Sequence, residues 1–208
     1  MIKDHFLINL CNRPDRLKSA LEQLGNVGIT PSVVTVSPPE DKGSFETIGQ
    51  RGCYESHLRV LKWISGIECH DNTLFAIIED DIVLKNNFAK HYPKIVEHFA
   101  TCCELYDAYY LHNNCVLQEQ EEAVLTDCND QGGAHFYIVS KRSARKLYEA
   151  LRLKLFCGTR NPYDVEIVLL GWPRARSSFT LAFQNGDLPS DISNSGPASY
   201  RIVNGVIP

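Results

Sequence analysis

The sequence lacks several features that would assign it quickly to a class of protein. Basic residues are not in excess, because 21 Lys and Arg stand against 25 Asp and Glu, for a net charge of −4. A mildly acidic chain is poorly suited to neutralising a polyphosphate backbone. The N-terminus has no basic segment followed by a long apolar run, and no stretch is long enough to cross a bilayer. We therefore expect no nucleic-acid partner, no transmembrane segment and a cytoplasmic location.

Familiar nucleotide and metal motifs are missing as well. Neither the G-x-G-x-x-G pattern of dinucleotide-binding folds nor the phosphate-binding loop G-x-x-x-x-G-K-[ST] occurs. No two of the eight cysteines are spaced as C-x-x-C, which removes the usual zinc and redox signatures. Without an export signal the thiols should stay reduced, and we expect most of them to be small buried side chains. A nucleophilic cysteine is the alternative, but no local motif favours it.

What the sequence does contain is an alternation of two hydrophobic patterns. Residues 5–10, 32–36, 73–78, 107–111 and 135–139 are typical of buried strands, whereas 14–25, 54–64, 88–99 and 140–151 carry apolar residues at helical spacing. From residue 171 onward the chain looks irregular. No break in composition divides it. The pattern predicts one α/β domain over residues 1–208, with a mainly parallel central sheet flanked by helices.

Three acids, Glu79, Asp80 and Asp81, follow the most apolar of these predicted strands. Ligands of such sheets gather at the carboxyl ends of the strands. Hard divalent cations such as Mg²⁺ and Mn²⁺ prefer oxygen ligands, so the three acids are candidate metal ligands. Strand alternation would place Glu79 and Asp81 on one side and Asp80 on the other. The alternative is that the acids cap the next helix or face solvent.

Two arginines, Arg13 and Arg16, follow the first predicted strand at the start of a helix. Backbone N–H groups and the helix dipole favour an anion there, and arginine adds bidentate donors for phosphate oxygens. The alternative is that these arginines pair with nearby acids such as Asp15.

Six short blocks carry a family resemblance. They are Ile8-Asn9-Leu10 with Arg13 and Arg16; Gly52 with Ser56-His57-Leu58; Ile78-Glu79-Asp80-Asp81; Gly133 with Tyr137 and Ser140; Pro162 with Asp164; and Ser190-Asp191-Ile192. In this order they resemble glycosyltransferase family 25, the lipooligosaccharide and procollagen galactosyltransferases, whose version of the DxD metal motif is the third block. The chain departs from that family after the second strand, where Ser37 and Pro38 stand in place of an acid and a glycine. Its short length is similar to that of compact transferases that build virus-capsid glycans.

The resemblance implies a GT-A fold, which is Rossmann-like and binds a nucleotide sugar. It implies a hexosyltransferase that moves a sugar from a nucleoside-diphosphate sugar, a UDP-sugar, to a glycan or glycoprotein acceptor with inversion. Mn²⁺ or Mg²⁺ would be the cofactor, because a cation stabilises the charge on a departing diphosphate. The donor-binding part would span about 1–112 and the acceptor-side part about 113–208. The donor sugar, the acceptor and the linkage stay open.

The same resemblance gives the site residues their roles. Asp81 is the first candidate for direct metal coordination, and Glu79 or Asp80 would contact the metal or the ribose. Arginines would bind the diphosphate or place the nucleoside, and the end of the first strand would bind the base. The expected metal ligands are Glu79 and Asp81, and the expected donor-binding residues are Asn9, Leu10, Arg13, Arg16, Ser37, Ser56, His57 and Asp80. His57 can instead be a packed histidine, because it lies in register with Leu61 and Ile64.

An inverting transfer needs a base beside the acceptor hydroxyl, a role that suits a carboxylate in a partly dehydrated cleft. Asp164 is the expected base, because it matches the family block and precedes an apolar helix. Glu166 and Asp191 are its rivals, and the alternative for Asp164 is a helix N-terminal cap. His112 and His135, each at a strand end, are candidates for the acceptor side or for a further metal ligand.

Two other classes of protein fit the same residues. A metal-dependent nucleotidyltransferase or phosphohydrolase also places acids at a strand end beside phosphate-binding arginines. A non-catalytic glycan-binding module, in which a transferase fold has lost its chemistry, would bind sugars without metal.

Overall fold

Strands and helices alternate along the chain. The computed structural model describes residues 1–111, 126–127, 134–176 and 181–184. Within these ranges the strands are β1 (Ile2–Leu10), β2 (Ser32–Val36), β3 (Leu74–Glu79), β4 (Ile82–Leu84), β5 (Ala108–Tyr110), β6 (Thr126–Asp127), β7 (Phe136–Ser140), β8 (Arg174–Arg176) and β9 (Ala182–Gln184). The helices are α1 (Pro14–Asn26), α2 (Ile48–Gly66), α3 (Phe88–Cys102), α4 (Lys141–Phe156) and α5 (Tyr163–Leu169).

The central sheet has the order β2-β1-β3-β7-β5-β8-β6 among the described residues. Pairing is parallel between β2, β1 and β3 and between β5 and β8, whereas β7 and β6 run against their neighbours. Five strands therefore share one direction. This confirms the predicted α/β, Rossmann-like fold with a mainly parallel sheet.

Both faces of this sheet are covered, which explains why its strands are continuously apolar. Phe75 and Ile77 of β3 pack with α2, α4 and α5, whereas the alternate residues Ala76 and Ile78 pack with α1 and α3. The period of two along the strand thus divides the core into two clusters, one on each side. The three acids that follow β3 lie at the edge where both clusters end.

Besides the two-residue β6, three short strands were not predicted. The chain from residue 171 onward was expected to be irregular, but it contains β8 and β9, and β4 directly follows the acids. Each of these strands has three residues, too few for a period of two to stand out. Their partners are also distant in sequence, because β8 pairs with β5 and β9 pairs with β4. The expectation of an irregular C-terminal stretch is therefore wrong for these residues.

The expectation that most of the cysteines are buried side chains is also wrong. Of the six that lie in the described ranges, Cys103 alone is fully buried, Cys11 and Cys157 are exposed, and all six are free thiols. Cys11 follows β1 and Cys157 follows α4, so both lie in connections beyond the packed core. Cys115 and Cys128 lie outside the described residues.

Helix starts follow the expected signals. Pro14 occupies the first turn of α1, Thr47 accepts a hydrogen bond from the Gln50 N–H at the start of α2, and Ser140 caps α4 as predicted. In the described portion of the chain, none of the helices combines the length and the apolarity that crossing a bilayer requires.

Replacing Ser140 with Ala should lower the free energy of unfolding by about 1 kcal/mol, and by about 2 at most. Ser140 is fully buried, and its Oγ accepts a hydrogen bond of 3.1 Å from the Ser143 N–H, which Ala cannot accept. Urea denaturation measures the change. Ser65→Ala is the matched control, since its hydroxyl bonds to a carbonyl within α2 near the surface, and its effect should stay within about 0.5 kcal/mol. Equal changes in the two variants would contradict the cap.

Candidate active site

A cavity of about 250 Å³ opens at the carboxyl ends of β1, β2 and β3. The chain leaves β1 towards β2 on one side and returns to β3 on the other, which is the crossover point where open α/β sheets bind ligands. The lining comes from β1 and β2 with the loops that follow them, from α2 and from the three acids. The lining residues are Ile8, Leu10, Asn12, Arg16, Val36, Pro38, Pro39, Ile48, Gly49, Gly52, Cys53, Ser56, Glu79, Asp80 and Asp81.

One wall of the cavity is apolar and depends on a close approach at Gly52. Pro39 lies against this glycine, and a Cβ built on Gly52 would come within 3.2 Å of the Pro39 Cδ. A side chain at position 52 would therefore displace the loop that carries Pro38 and Pro39 from the first turns of α2. The other side of the cavity is acidic.

Glu79 is held by two histidines, one on each carboxylate oxygen. His57 Nε2 lies 3.1 Å from Oε1, and His135 Nδ1 lies 2.7 Å from Oε2. The Cys53 Sγ is 3.5 Å from the same Oε1. His57 comes from α2 and His135 precedes β7, so the carboxylate joins a helix and a neighbouring strand to the end of β3.

Asp80 faces the end of β1. Its Oδ2 accepts a hydrogen bond of 2.6 Å from the Asn9 Nδ2 and one of 3.3 Å from the Leu10 N–H. Its Oδ1 lies 3.5 Å from Nη1 of the buried Arg16. The amide of Asn9 and the N–H of Leu10, which we expected to bind the base, are thus engaged within the protein.

Asp81 sits between Arg16, Gln184 and His135. Its Oδ2 accepts a hydrogen bond of 2.9 Å from Gln184 and lies 3.4 Å from the Arg16 Nη1. Its buried Oδ1 is 4.0 Å from His135 Nδ1 and has no hydrogen-bond partner among the described residues. Glu79 and Asp81 share His135 while Asp80 faces β1, which agrees with the alternation expected for the three acids, although Arg16 reaches both aspartates.

The pKa values show how charge is distributed here. Burial opposes ionisation of Glu79, but its hydrogen bonds with His135 and His57 outweigh burial and hold its pKa well below the ordinary value. Burial opposes protonation of His135, yet the bond to Glu79 and nearby negative charges raise its pKa to about 9. Burial and the charge of Glu79 raise the pKa of Asp81, and burial raises that of Asp80 to about 6. Glu79 and His135 form an ion pair at neutral pH, while the surroundings disfavour negative charge on the two aspartates.

These donors suit a divalent cation. One atom each from Glu79, Asp81 and His135 lies within 4.8 Å of the others, and so do atoms of Cys53, His57 and Glu79. The first group offers two carboxylates and an imidazole, a set that Mn²⁺ accepts. The unpartnered Asp81 Oδ1 is the observation that favours a ligand, since a buried carboxylate oxygen without a partner is costly.

His57 is fully buried and does not line the cavity. Its ring stacks on Tyr163 with centroids 4.0 Å apart, and its Nδ1 is hydrogen-bonded to the Tyr137 hydroxyl at 2.9 Å. The Tyr137 and Tyr163 hydroxyls are in turn 2.7 Å apart. His57 therefore packs, as the alternative for it anticipated, and positions Glu79 at the same time.

The remaining expected donor-binding residues lie in different surroundings. Arg13 forms an ion pair with Asp15 at 3.0 Å, which is the alternative that the sequence left open. Ser56 lines the cavity and donates to the Gly52 carbonyl at 2.5 Å. Ser37 is exposed and is absent from the cavity lining. The structure thus brings Arg16, Ser56 and the acids together, and places Arg13 and Ser37 at the periphery.

Asp164 and Glu166 differ sharply in their contacts. Asp164 is half-buried at the start of α5, its Oδ1 accepts from the Val165 N–H at 2.9 Å, and its charge acts on His135 and Cys53. Glu166 is buried and accepts hydrogen bonds from Thr159 at 2.6 Å and Asn161 at 2.9 Å. Those bonds make Glu166 a structural carboxylate. Asp191 and His112 lie outside the described residues.

Three contributors to the site were missed in the sequence. Cys53 and His57 are four residues apart, a spacing that places both on one helix face and could have been noticed. Tyr137 stands in one of the six family blocks but was given no role, and Gln184 gave no signal. Tyr137 is one of several apolar residues in β7, and Gln184 belongs to a three-residue strand.

A comparison with protein families places the match over the middle of the chain. The family model of glycosyltransferase family 25 (LPS biosynthesis protein) matches residues 38–159. This region contains α2, the three acids, His135 and all of α4, and it covers more than half of the chain. A search of curated proteins finds no match.

Glu166→Gln should lower the free energy of unfolding by about 1–3 kcal/mol, because it removes a charged acceptor from three partners. Burial raises the pKa of Glu166, but its hydrogen bonds outweigh burial and lower it. The stabilisation is therefore complete above the ordinary carboxyl pKa and is lost as the pH falls through the folded value. Denaturation at several pH values should show the gap between wild type and variant shrinking in acid. Asp164→Asn is the control; a loss as large as that of Glu166→Gln would contradict this assignment.

Proposed function

The chain belongs to glycosyltransferase family 25, and from this membership and the cleft we propose a metal-dependent, inverting hexosyl transfer. The donor would be a UDP-sugar and the acceptor a hydroxyl of a glycan or glycoprotein. A glycosyltransferase needs one donor and one acceptor. The finer assignment rests on the chemistry of the residues that line the cavity.

The observation that carries the proposal is a cavity at the carboxyl ends of the strands whose lining combines acids with apolar residues. Glu79, Asp80 and Asp81 line the same cavity as Pro38 and Pro39. A nucleoside diphosphate combines the same two characters, because it has a planar base at one end and charged phosphates at the other. Among the described residues, the whole lining lies within residues 1–111, which supports the proposal that the part up to about residue 112 binds the donor and residues 113–208 the acceptor.

Asp81, Glu79 and His135 are the residues that would hold Mn²⁺ or Mg²⁺. Once bound there, the cation supplies Lewis-acid stabilisation of the negative charge on the leaving diphosphate. The proposal is supported by the free Asp81 Oδ1 and by the raised pKa values of both aspartates, since a nearby cation would offset the cost of their ionisation.

Arg16 and the end of β1 fix the acids in place. The guanidinium of Arg16 touches both aspartates from α1, and Asn9 and Leu10 hold the other Asp80 oxygen. Arg16 also lines the cavity, so it can donate to a phosphate oxygen without leaving these contacts. Arg13, at the start of α1, is proposed to contact the phosphates or the nucleoside from outside the cavity. Ser37 and Ser56 are proposed as further donor contacts, Ser37 at the rim of the cavity and Ser56 in its wall.

Asp164 is the proposed base. The negative charge of Asp164 acts on His135, which borders the acids. Its carboxylate accepts one local hydrogen bond, whereas the carboxylate of Glu166 accepts several. A carboxylate with a single backbone partner can accept the proton of an acceptor hydroxyl while it remains oriented. Asp164 is not among the described residues that line the donor cavity, which suits a residue on the acceptor side.

Asp81→Asn should weaken Mn²⁺-dependent binding of UDP at least about 10-fold, a loss seen even when a partner of a metal ligand is removed. Binding of UDP without Mn²⁺ should change little. Isothermal titration with UDP, with and without Mn²⁺, measures both. Asp4→Asn, at the other end of β1, is the matched control and should behave like wild type. Intact Mn²⁺-dependent binding in Asp81→Asn would refute the metal assignment, and UDP binding that never needs metal would favour a glycan-binding module.

Asp164→Asn should lower kcat by about 10²–10⁴-fold, the usual contribution of a general base, and leave the affinity for UDP unchanged. The measurement is release of UDP from a set of UDP-sugars, with titration calorimetry as the binding readout. Release of inorganic phosphate in place of UDP would indicate a phosphohydrolase. A fully active Asp164→Asn enzyme would remove Asp164 from this role.

A further inference from the structure

Cys53 and His57 form a second group of metal-binding side chains with Glu79. They lie one helical turn apart on α2 and face the same carboxylate oxygen, Oε1. The proposed sugar transfer uses the other side of this carboxylate, where Oε2 meets His135. The mechanism above gives the Cys53 thiol no task, although Cys53 lines the cavity.

Two of the three distances within this group are close to the edges of a tetrahedral zinc site. Bonds of about 2.3 Å to sulfur and about 2.0–2.1 Å to nitrogen and oxygen give S···O and N···O edges of about 3.5 and 3.3 Å. The Cys53 Sγ is 3.5 Å from Glu79 Oε1, and His57 Nε2 is 3.1 Å from it. All three atoms lie within 4.8 Å of one another. The side chains need only small shifts to share one ion.

Tyr137 and Tyr163 orient His57 in the way that a metal-coordinating histidine is oriented. A metal-bound imidazole almost always donates its other ring N–H to a fixed acceptor. The Tyr137 hydroxyl lies 2.9 Å from His57 Nδ1 and can accept that hydrogen, because it can pass its own hydrogen bond to the Tyr163 hydroxyl at 2.7 Å. The Tyr163 ring stacks on the imidazole and fixes its plane. This arrangement leaves Nε2 directed at Glu79 and Cys53.

The local charge also favours a cation. The carboxylates of Glu79, Asp164 and Asp81 are close enough for their negative charges to act on the Cys53 thiol. The negative charges that oppose a free thiolate attract a metal ion, and a bound ion stabilises the thiolate.

We propose that Cys53, His57 and Glu79 bind Zn²⁺ through Sγ, Nε2 and Oε1, with the fourth position open to the cavity. Thiolate and imidazole select a thiophilic ion, whereas the oxygen-rich group around Asp81 suits Mn²⁺ or Mg²⁺. Glu79 stands between the two groups and offers one oxygen to each. This site goes beyond sugar transfer and does not depend on it, since its test uses the cation alone.

The test is a titration of the metal-free, reduced full-length chain with Co²⁺, a spectroscopic substitute for Zn²⁺. The wild-type chain should develop a thiolate-to-cobalt charge-transfer band that Zn²⁺ abolishes. Cys53→Ser should lose the band and bind Zn²⁺ at least about 10-fold more weakly. Cys69→Ser, a half-buried thiol elsewhere, and Asp81→Asn, which alters the other group, should both keep the band. A band that persists in Cys53→Ser, or its absence in wild type, would overturn the proposal.

A measurement on the unmodified chain covers the case in which Cys53→Ser does not fold. X-ray absorption of the zinc-bound protein should show one sulfur ligand at about 2.3 Å and nitrogen or oxygen ligands at about 2.0–2.1 Å. A zinc spectrum without sulfur, or with several sulfur ligands, would exclude this site.

Discussion

Three adjacent carboxylates at the end of a buried strand are the constraint on which the rest of this structure depends. Glu79, Asp80 and Asp81 repel one another where water is largely excluded, so each needs a partner from another element. Those partners come from β1, α1, α2, the start of β7 and β9. The acids thus join elements that are far apart in the chain. A ligand that completes the compensation would bind where the protein's own partners leave a deficit, at the Asp81 Oδ1.

The buried cluster of three acids lowers the stability of the folded chain, and the proposed binding site would account for this cost. Burial raises the pKa values of Asp80 and Asp81, which means that their ionised forms are disfavoured in the folded chain. An apolar strand end would pack at lower cost, as buried ion pairs rarely exceed the stability of hydrophobic replacements. Glu166 shows what a purely structural buried carboxylate looks like in the same chain, with several hydrogen bonds and a lowered pKa.

The sequence predicts those parts of the fold and site that depend on neighbouring residues. The longer strands, the main helices, the Ser140 cap and the acids at a strand end all follow from local periodicity and side-chain chemistry. The partners of the acids do not. Asn9 lies 71 residues before Asp80 and Gln184 lies 103 residues after Asp81, so no window of sequence contains both members. For the same reason the sequence predicts only part of what Asn9 and Leu10 do. Their position at the cleft follows from the end of the strand, whereas their hydrogen bonds to Asp80 depend on the pairing of β1 with β3.

Glu79 differs from its two neighbours in a way that bears on how the cleft works. Asp80 and Asp81 share Arg16, a permanent cation, whereas Glu79 is bound by two imidazoles, those of His57 and His135. Arg16 therefore supplies the same positive charge to the aspartates whether or not a ligand is bound. The proposed cations would instead bind the Glu79 oxygens that the two histidines contact, between α2 and β7. In the proposed site, a fixed charge on the α1 side would keep the cleft in shape while cations on Glu79 change its net charge.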